Sequence, residues 1–283
     1  MKKKRRLFDI LRVIGILIAL SIMLYPTVSN YLYEKNSSRA VNSYDENAAN
    51  LDQEERSRNL REAKEYNARL AGTAHVEGDT FQSGAETSRE YKQLLSIDKS
   101  GMMGYIMIPK IDVELPVYHT TSEAVLQSGI GHLPSSSLPV GGRNSHAVLT
   151  GHRGLPSRKL FTDLDQMEKG DIFYIRIQGE TLAYQVDQIL TVLPEETDAL
   201  QIEPGKDYVT LVTCTPYAVN THRLLVRGHR IPYEEAETAE PPEIDHGLKI
   251  PFEVLMLLVG FGIVLMFILI WQIIRKVKRR NMK

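Results

Sequence analysis

Between Gly104 and Ile231 the apolar residues fall into short runs, YIMIP, VELPVYH, HAVLTGH, IFYIRI, TLAYQVDQILTV, DYVTLVTC and RLLVRGHRI, separated by clusters of Gly, Pro, Asn and Asp. Runs of this length, rich in β-branched and aromatic residues and closed off by turn formers, read as strands. Their regular spacing argues for an all-β barrel or sandwich. Within it only LQSG near Leu126 and KLFTDLDQM from Lys159 read as helical, and the β domain is expected to end at Pro232.

The ends of the chain follow a different logic. The 283 residues are 43% hydrophobic and 24% charged with a formal charge of -1, the composition of an ordinary soluble protein. The charge is unevenly spread. Residues 1–12 carry a net +5, residues 275–283 a net +6, and the middle therefore holds -12. Beside the C-terminal cations, Val254 to Ile274 run 21 residues without a formal charge, which as a helix spans about 30 Å, the thickness of a bilayer core. Trp271 and Gln272 stand where an interfacial anchor is expected. At the other end Val13 to Tyr25 is apolar, Pro26 interrupts, and the stretch continues to Tyr33. This is either an uncleaved, tilted anchor, the favoured reading, or a cleaved signal peptide, for which Ala19 and Ser21 give only a faint site inside the apolar run. With cations at both ends, the positive-inside rule places both termini in the cytoplasm and the acidic middle outside the cell membrane.

The expected organisation is a basic flank and anchor (1–33), a helix and loop (34–97), a β domain (98–232), an acidic Pro-containing spacer (233–249) and a second membrane helix with a basic tail (250–283). Residues 40–70, free of Pro and Gly, are expected to form one helix with a stripe of Leu60, Ala63, Tyr66 and Leu70. Residues 71–97 read as a long loop, a kind of segment that tends to be functional or disordered.

The chain has one cysteine, so no internal disulfide forms and Cys214 is either a buried small hydrophobe or a reactive thiol. Alternation along YVTLVTC puts Tyr208, Thr210, Val212 and Cys214 on one face, with the thiol where a strand meets a loop. If that strand pairs antiparallel with RLLVRGHRI around the eight-residue loop TPYAVNTH, Arg223 lies directly beside Cys214. A guanidinium there favours thiolate over thiol and offers donors to an oxyanion. A thiol nucleophile usually works with histidine; His132, His146, His152, His222 and His229 all fall near strand ends or turns, and spacing alone does not choose among them.

The block TLVTCTPYAVNTHRLLVRGHRI and the upstream PVYHTTSEAVLQSGIGHLPSSSLPVGGRNSHAVLTGHRGLP together resemble the class C, pilus-polymerising sortases. The resemblance covers residues 98–232 closely. It implies a mainly β fold, an eight-stranded barrel with an N-terminal helical and lid segment and transmembrane helices at both ends. It implies Cys214 as nucleophile, His152 as acid/base and Arg223 as the oxyanion-stabilising group. Class C members also carry a lid loop with an Asp-Pro-aromatic tripeptide; here Asp79, Thr80 and Phe81 occupy that place, without the proline that would stiffen it. Ala218 stands where glycine is usual. By the same resemblance the partners are pilin subunits with LPXTG-like sorting signals and an acceptor pilin lysine; no cofactor, metal or nucleic acid is expected. Competing readings are a housekeeping sortase that anchors proteins to the cell wall, a papain-like hydrolase, disfavoured by the order His152, Cys214, Arg223, and a non-catalytic membrane receptor or adhesin.

Overall fold

A computed structural model describes residues 2–72, 76–81, 87–155, 158–237 and positions 255, 258 and 260–262. The chain divides into two compact units, Leu32–His246 and Met1–Tyr31 with Gly247–Lys283. In the first, strands β1 (Met102–Ile108), β2 (Val113–His119), β3 (Ile130–His132), β4 (Ser145–Thr150), β5 (Ile172–Ile177), β6 (Glu180–Val192), β7 (Asp207–Thr215) and β8 (His222–Ile231) close into a barrel in the order β1-β2-β3-β4-β7-β8-β6-β5. Seven of these are the runs visible in the sequence. The eighth, β3, has three residues and is too short to alternate detectably; it exists because it bridges β2, to which it is parallel, and β4, to which it is antiparallel.

Ile106, Val117, Leu149, Phe173, Val209 and Leu211 belong to the main buried cluster. Along β7 the period of two sends Val209 and Leu211 into that cluster, while Val212 joins a separate apolar patch with Val76, Val148 and Leu225. Cys214 shares the Val212 face, so the barrel wall carries the thiol on the side away from its main core.

The helical expectations need five corrections. The single helix over 40–70 is two: α1 (Lys2–Asn50) and α2 (Gln53–Leu70) part at Leu51 and Asp52. The Asp52 carboxylate accepts the Glu55 backbone N–H at 2.7 Å, a helix start whose Asp-x-x-Glu signature is present in the sequence. Pro26 does not interrupt α1, which carries it internally. KLFTDLDQM yields only a 3-10 turn at Leu164–Gln166, whereas the LQSG region does hold a short helix, α4 (Glu123–Leu126). The 71–97 loop includes α3 (Arg89–Gln93), capped by Ser88, with Tyr91 buried. Beyond Pro232, α5 (Tyr233–Glu237) packs Ala236 with Tyr174, Ala183 and Ile231, so the β unit extends a turn past its expected end.

Residues at the C-terminal end of α1 and along α2 clasp the barrel. Tyr44 donates to the Met103 carbonyl at 2.8 Å and accepts from the Gln178 N–H at 2.9 Å. Asn67 bonds both backbone groups of Leu138, at 2.8 and 2.7 Å. In the other unit, Leu11, Val13, Leu17, Ile18 and Ile22 are exposed. By length and composition the helical stretch Leu11–Asn50 can cross a membrane. The expected second span, Val254–Ile274, lies almost wholly outside the described residues, of which 255, 258 and 260–262 are helical; the 238–249 spacer lies outside them altogether.

Candidate active site

Cys214 is the penultimate residue of β7 and stands directly opposite Arg223 in the antiparallel ladder with β8. The side chains of such a pair lie about 5 Å apart at Cβ. β4 runs parallel to β7 on the other side, with Thr150 opposite Val212. The ladder continues one step further: the Gly151 N–H donates to the Val212 carbonyl at 3.0 Å, and the Thr213 hydroxyl to the Gly151 carbonyl at 2.7 Å. Parallel neighbours leave a sheet at the same edge. Two residues past Thr150 and two past Val212 therefore bring His152 and Cys214 to one rim, although β4 itself stops at Thr150, short of the His152 expected from its pattern. Gly151 makes the approach possible: a Cβ there would lie 2.6 Å from Ile130 and 2.7 Å from Phe161. Behind it, Gly154 takes a φ of +79°, and a Cβ would fall 2.9 Å from the Tyr217 ring, so the loops after β4 and β7 touch.

The loop ahead of the barrel lies across this rim. The Asp79 carboxylate accepts from Arg223 Nε at 2.9 Å and Nη2 at 2.6 Å, a two-pronged charge-assisted pair. The third guanidinium nitrogen, Nη1, donates to the carbonyls of Asn220 and His222. Asp79 also accepts the Phe81 N–H at 3.2 Å, which turns the chain so that the Phe81 ring stands 5.0 Å from the Arg223 guanidinium carbon and 5.6 Å from the His152 ring. A second anchor, not read from the sequence, lies three residues upstream. Val76 is buried in the apolar patch of Val148, Val212 and Leu225. Its carbonyl accepts from Thr197 at 2.7 Å and Gln201 at 2.9 Å, and its N–H reaches Gln201 Oε1 at 3.2 Å. Val76, the apolar residue that opens the stretch VEGDTF, is the trace of this anchor in the sequence.

Charge follows from the covering. Burial pushes the Cys214 thiol above its ordinary pKa, Arg223 pulls the other way, and Asp79 adds to the rise. Arg223 thus acts toward thiolate as expected from the sequence, but burial, with Asp79 adding to it, outweighs that pull in the covered site. Burial lowers the His152 pKa and the Glu123 carboxylate opposes it. Glu123, another residue the sequence did not single out, places Oε2 3.7 Å from His152 Nε2.

The other histidines have different duties. His132 is fully buried, with ring nitrogens on the Tyr91 hydroxyl (2.8 Å) and the Ser137 carbonyl (2.7 Å), and burial brings it down to about 3. His146 lies between the Gln201 carbonyl and the Thr210 hydroxyl, with a pKa lowered by burial to about 4. His222 pairs with Thr215, one step along from Cys214 and hence on the opposite face, and His229 is 3.9 Å from Asp187. Ala218, where glycine is usual, has a φ of +63°, the left-handed region that explains that preference.

The Sortase domain family pattern matches residues 106–231, within the span of the barrel. Among solved structures, a Streptococcus pneumoniae sortase C, studied for catalysis and pilin substrate specificity, is 47% identical with a TM-score of 0.65, covering 69% of this chain and 97% of that one. Sortase C1 of Streptococcus agalactiae is 52% identical with a TM-score of 0.63, covering 69% and 98%. Among curated proteins, sortase A of Bacillus anthracis is 32% identical over 133 residues, which are 47% of this chain and only 61% of that protein's length. Sortase A of Staphylococcus aureus is 27% identical over 226 residues, covering 78% and 93%.

Proposed function

We propose that this chain, which belongs to the sortase family, is a membrane-anchored cysteine transpeptidase of the pilus-building class, with Cys214, His152 and Arg223 as its catalytic residues. The observation that carries this is the strand register, which sets Cys214 against Arg223 and delivers His152 to the same rim from a parallel neighbour. The Cys214 thiolate attacks the threonine carbonyl of an LPXTG-like sorting signal. Arg223 donates to the oxyanion, His152 protonates the departing glycine amine, and a thioester remains on Cys214. A lysine amine of the next pilin then attacks the thioester carbonyl; its proton passes to His152, the C–S bond breaks, and an isopeptide bond forms.

The Asp79 loop is a lid in the resting state. It engages the donors Arg223 needs for the oxyanion and adds to the rise in the thiol pKa that burial causes, so its departure frees the guanidinium and favours the thiolate. The uncleaved N-terminal helix and a second C-terminal span would hold residues 34 to about 250 outside the membrane with both ends in the cytoplasm, a topology that rests on the charge pattern. The domain boundaries expected above belong to the same reading.

Incubating the full chain in detergent, with Phe81→Ala to loosen the lid, with an LPXTG-like peptide should give a thioester visible by intact mass and absent in Cys214→Ala. No adduct from the lid-loosened protein would sink the reading. The sortase A relatives favour a second reading, anchoring of surface proteins to wall peptide. Product analysis separates the two, as polymer ladders of pilin or as single proteins on wall fragments.

A further inference from the structure

We infer that Glu123 is a positioning residue for the transfer reaction: its carboxylate, fixed by Gln127 and Arg158, receives the charged imidazole ring of His152 and holds it aimed at the rim. This rests on the transpeptidase reading, because it supposes that His152 carries a proton in turnover.

The geometry is a short chain of polar groups running away from the thiol. Glu123 opens α4, just after the β2 end, and α4 returns the chain so that Gln127 lies one turn on. The Gln127 side-chain amide donates to Glu123 Oε1 at 2.7 Å, which leaves Oε2 facing His152 Nε2 at 3.7 Å. Gln127 is itself held: Arg158 Nη1 donates to its side-chain oxygen at 2.8 Å and also to its backbone carbonyl. Arg158 in turn lies 5.3 Å from the Tyr33 ring of α1. Four side chains of ordinary surface type are thereby ordered in one row ending at the histidine.

His152 Nε2 is buried with no hydrogen-bond partner while the Phe81 ring lies tilted against the imidazole at 5.6 Å. A buried ring nitrogen without a partner costs on the order of 1–3 kcal/mol, so the arrangement is stable only if a partner is close at hand. Glu123 Oε2 is that partner at ion-pair distance, and hydrogen bonds of this kind are often long until substrate arrives. Glu123 from α4 and Arg158 from the segment after β4 act on the His152 charge, and the titratable or charged groups across the rim are Cys214, Arg223 and Asp79. Of these, Glu123 favours the imidazolium and Arg158 opposes it. Glu123 is also 72% exposed in its side chain, so it can serve a ring that must gain and lose a proton against solvent.

Each half-reaction asks for this. When the glycine amine departs, the proton moves from His152 to nitrogen; when the lysine amine attacks, a proton moves from nitrogen to His152. A carboxylate behind the ring stabilises the charged form in both directions and keeps the ring from swinging out.

The test uses the full chain in detergent, ¹³C-labelled at histidine, in four forms: wild type, Glu123→Gln, Glu123→Asp and Gln127→Ala. The titration midpoint of His152, followed by NMR, should fall by about half a pH unit or more in Glu123→Gln, a roughly threefold loss of imidazolium on the alkaline side. Glu123→Asp should recover most of it, and Gln127→Ala should fall between. The alkaline limb of thioester formation, measured in the Phe81→Ala background, should move down by the same amount. A midpoint unchanged in Glu123→Gln, or a rate lowered equally at every pH, would overturn the inference. A wild-type background that forms no thioester at all would overturn the transpeptidase reading instead, whatever the NMR midpoint does.

Discussion

Strand β8 carries two arginines four residues apart on one face, Arg223 and Arg227, and their surroundings are built alike. Arg223 faces Cys214, Arg227 faces Thr210. Each donates Nε and Nη2 to an aspartate and lies against an aromatic ring, Asp79 and Phe81 in one case, Asp187 and Tyr208 in the other. A histidine completes each, His152 beside the Phe81 ring and His146 on the Thr210 hydroxyl. What differs is the origin of the aspartate. Asp187 is the extra residue of a bulge in β6, the strand that pairs with β8, and it is fixed by the ladder on both sides. Asp79 lies 144 residues from Arg223 in sequence, on a loop ahead of the barrel. The same bidentate chemistry makes a brace where its partner is part of the sheet and, on the proposed reading, a releasable latch where its partner is on a loop.

Exchanging the two sites' roles by mutation is the way to break that contrast. Arg223→Lys should have the largest effect, about 10²–10³-fold slower thioester formation by intact mass in the lid-loosened protein, with little change in melting temperature. Asp79→Asn should do the reverse at the same locus. Removing one of the causes that raise the thiol pKa lowers it, so the alkylation midpoint of Cys214 should move to lower pH, with the rate at neutral pH up by about tenfold, since a charge-assisted pair of this type is worth about 1.5–3 kcal/mol. Arg227→Ala should leave the chemistry almost untouched but cost about 2 kcal/mol, because Asp187 and Glu203 lose their cation; a melt of the full chain reports it. The brace also predicts acid sensitivity. The His146 pKa is lowered to about 4 by burial, below its unfolded value of about 6.5. Its stabilising contribution is therefore complete above about pH 6.5 and lost as pH falls toward 4, and His146→Gln should flatten that part of the melting profile. The smallest effect is Ala218→Gly: relieving a non-glycine φ of +63° should stabilise by about 1 kcal/mol and raise the melting temperature by about 2–4 °C.

How much of this could be read beforehand depends on the range of the interaction involved. Alternation and loop length sufficed for Cys214 opposite Arg223, because a hairpin makes neighbours of residues nine apart. The helix break at Asp52 was missed, although its Asp-x-x-Glu cap acts over only three residues and stands in the sequence. Periodicity failed for His152, whose place depends on β4 lying parallel to β7, a pairing between segments 62 residues apart that no local pattern encodes; only the family resemblance pointed to it. Thr197, Gln201 and Glu123 were missed for the same reason. The pull of Arg223 toward thiolate was read in the right direction, but the burial that outweighs it, with Asp79 adding to it, depends on a loop that no local pattern places over the thiol.

Chain order gives the latch a further property. Asp79 and Phe81 precede every strand of the barrel, and β8, which brings Arg223 and completes the ladder to both β6 and β7, comes last. A chain emerges from synthesis N-terminus first. The segment that covers the thiol is therefore made before the thiol and its guanidinium are brought together, so on the proposed reading the chain can close its barrel directly into the covered form.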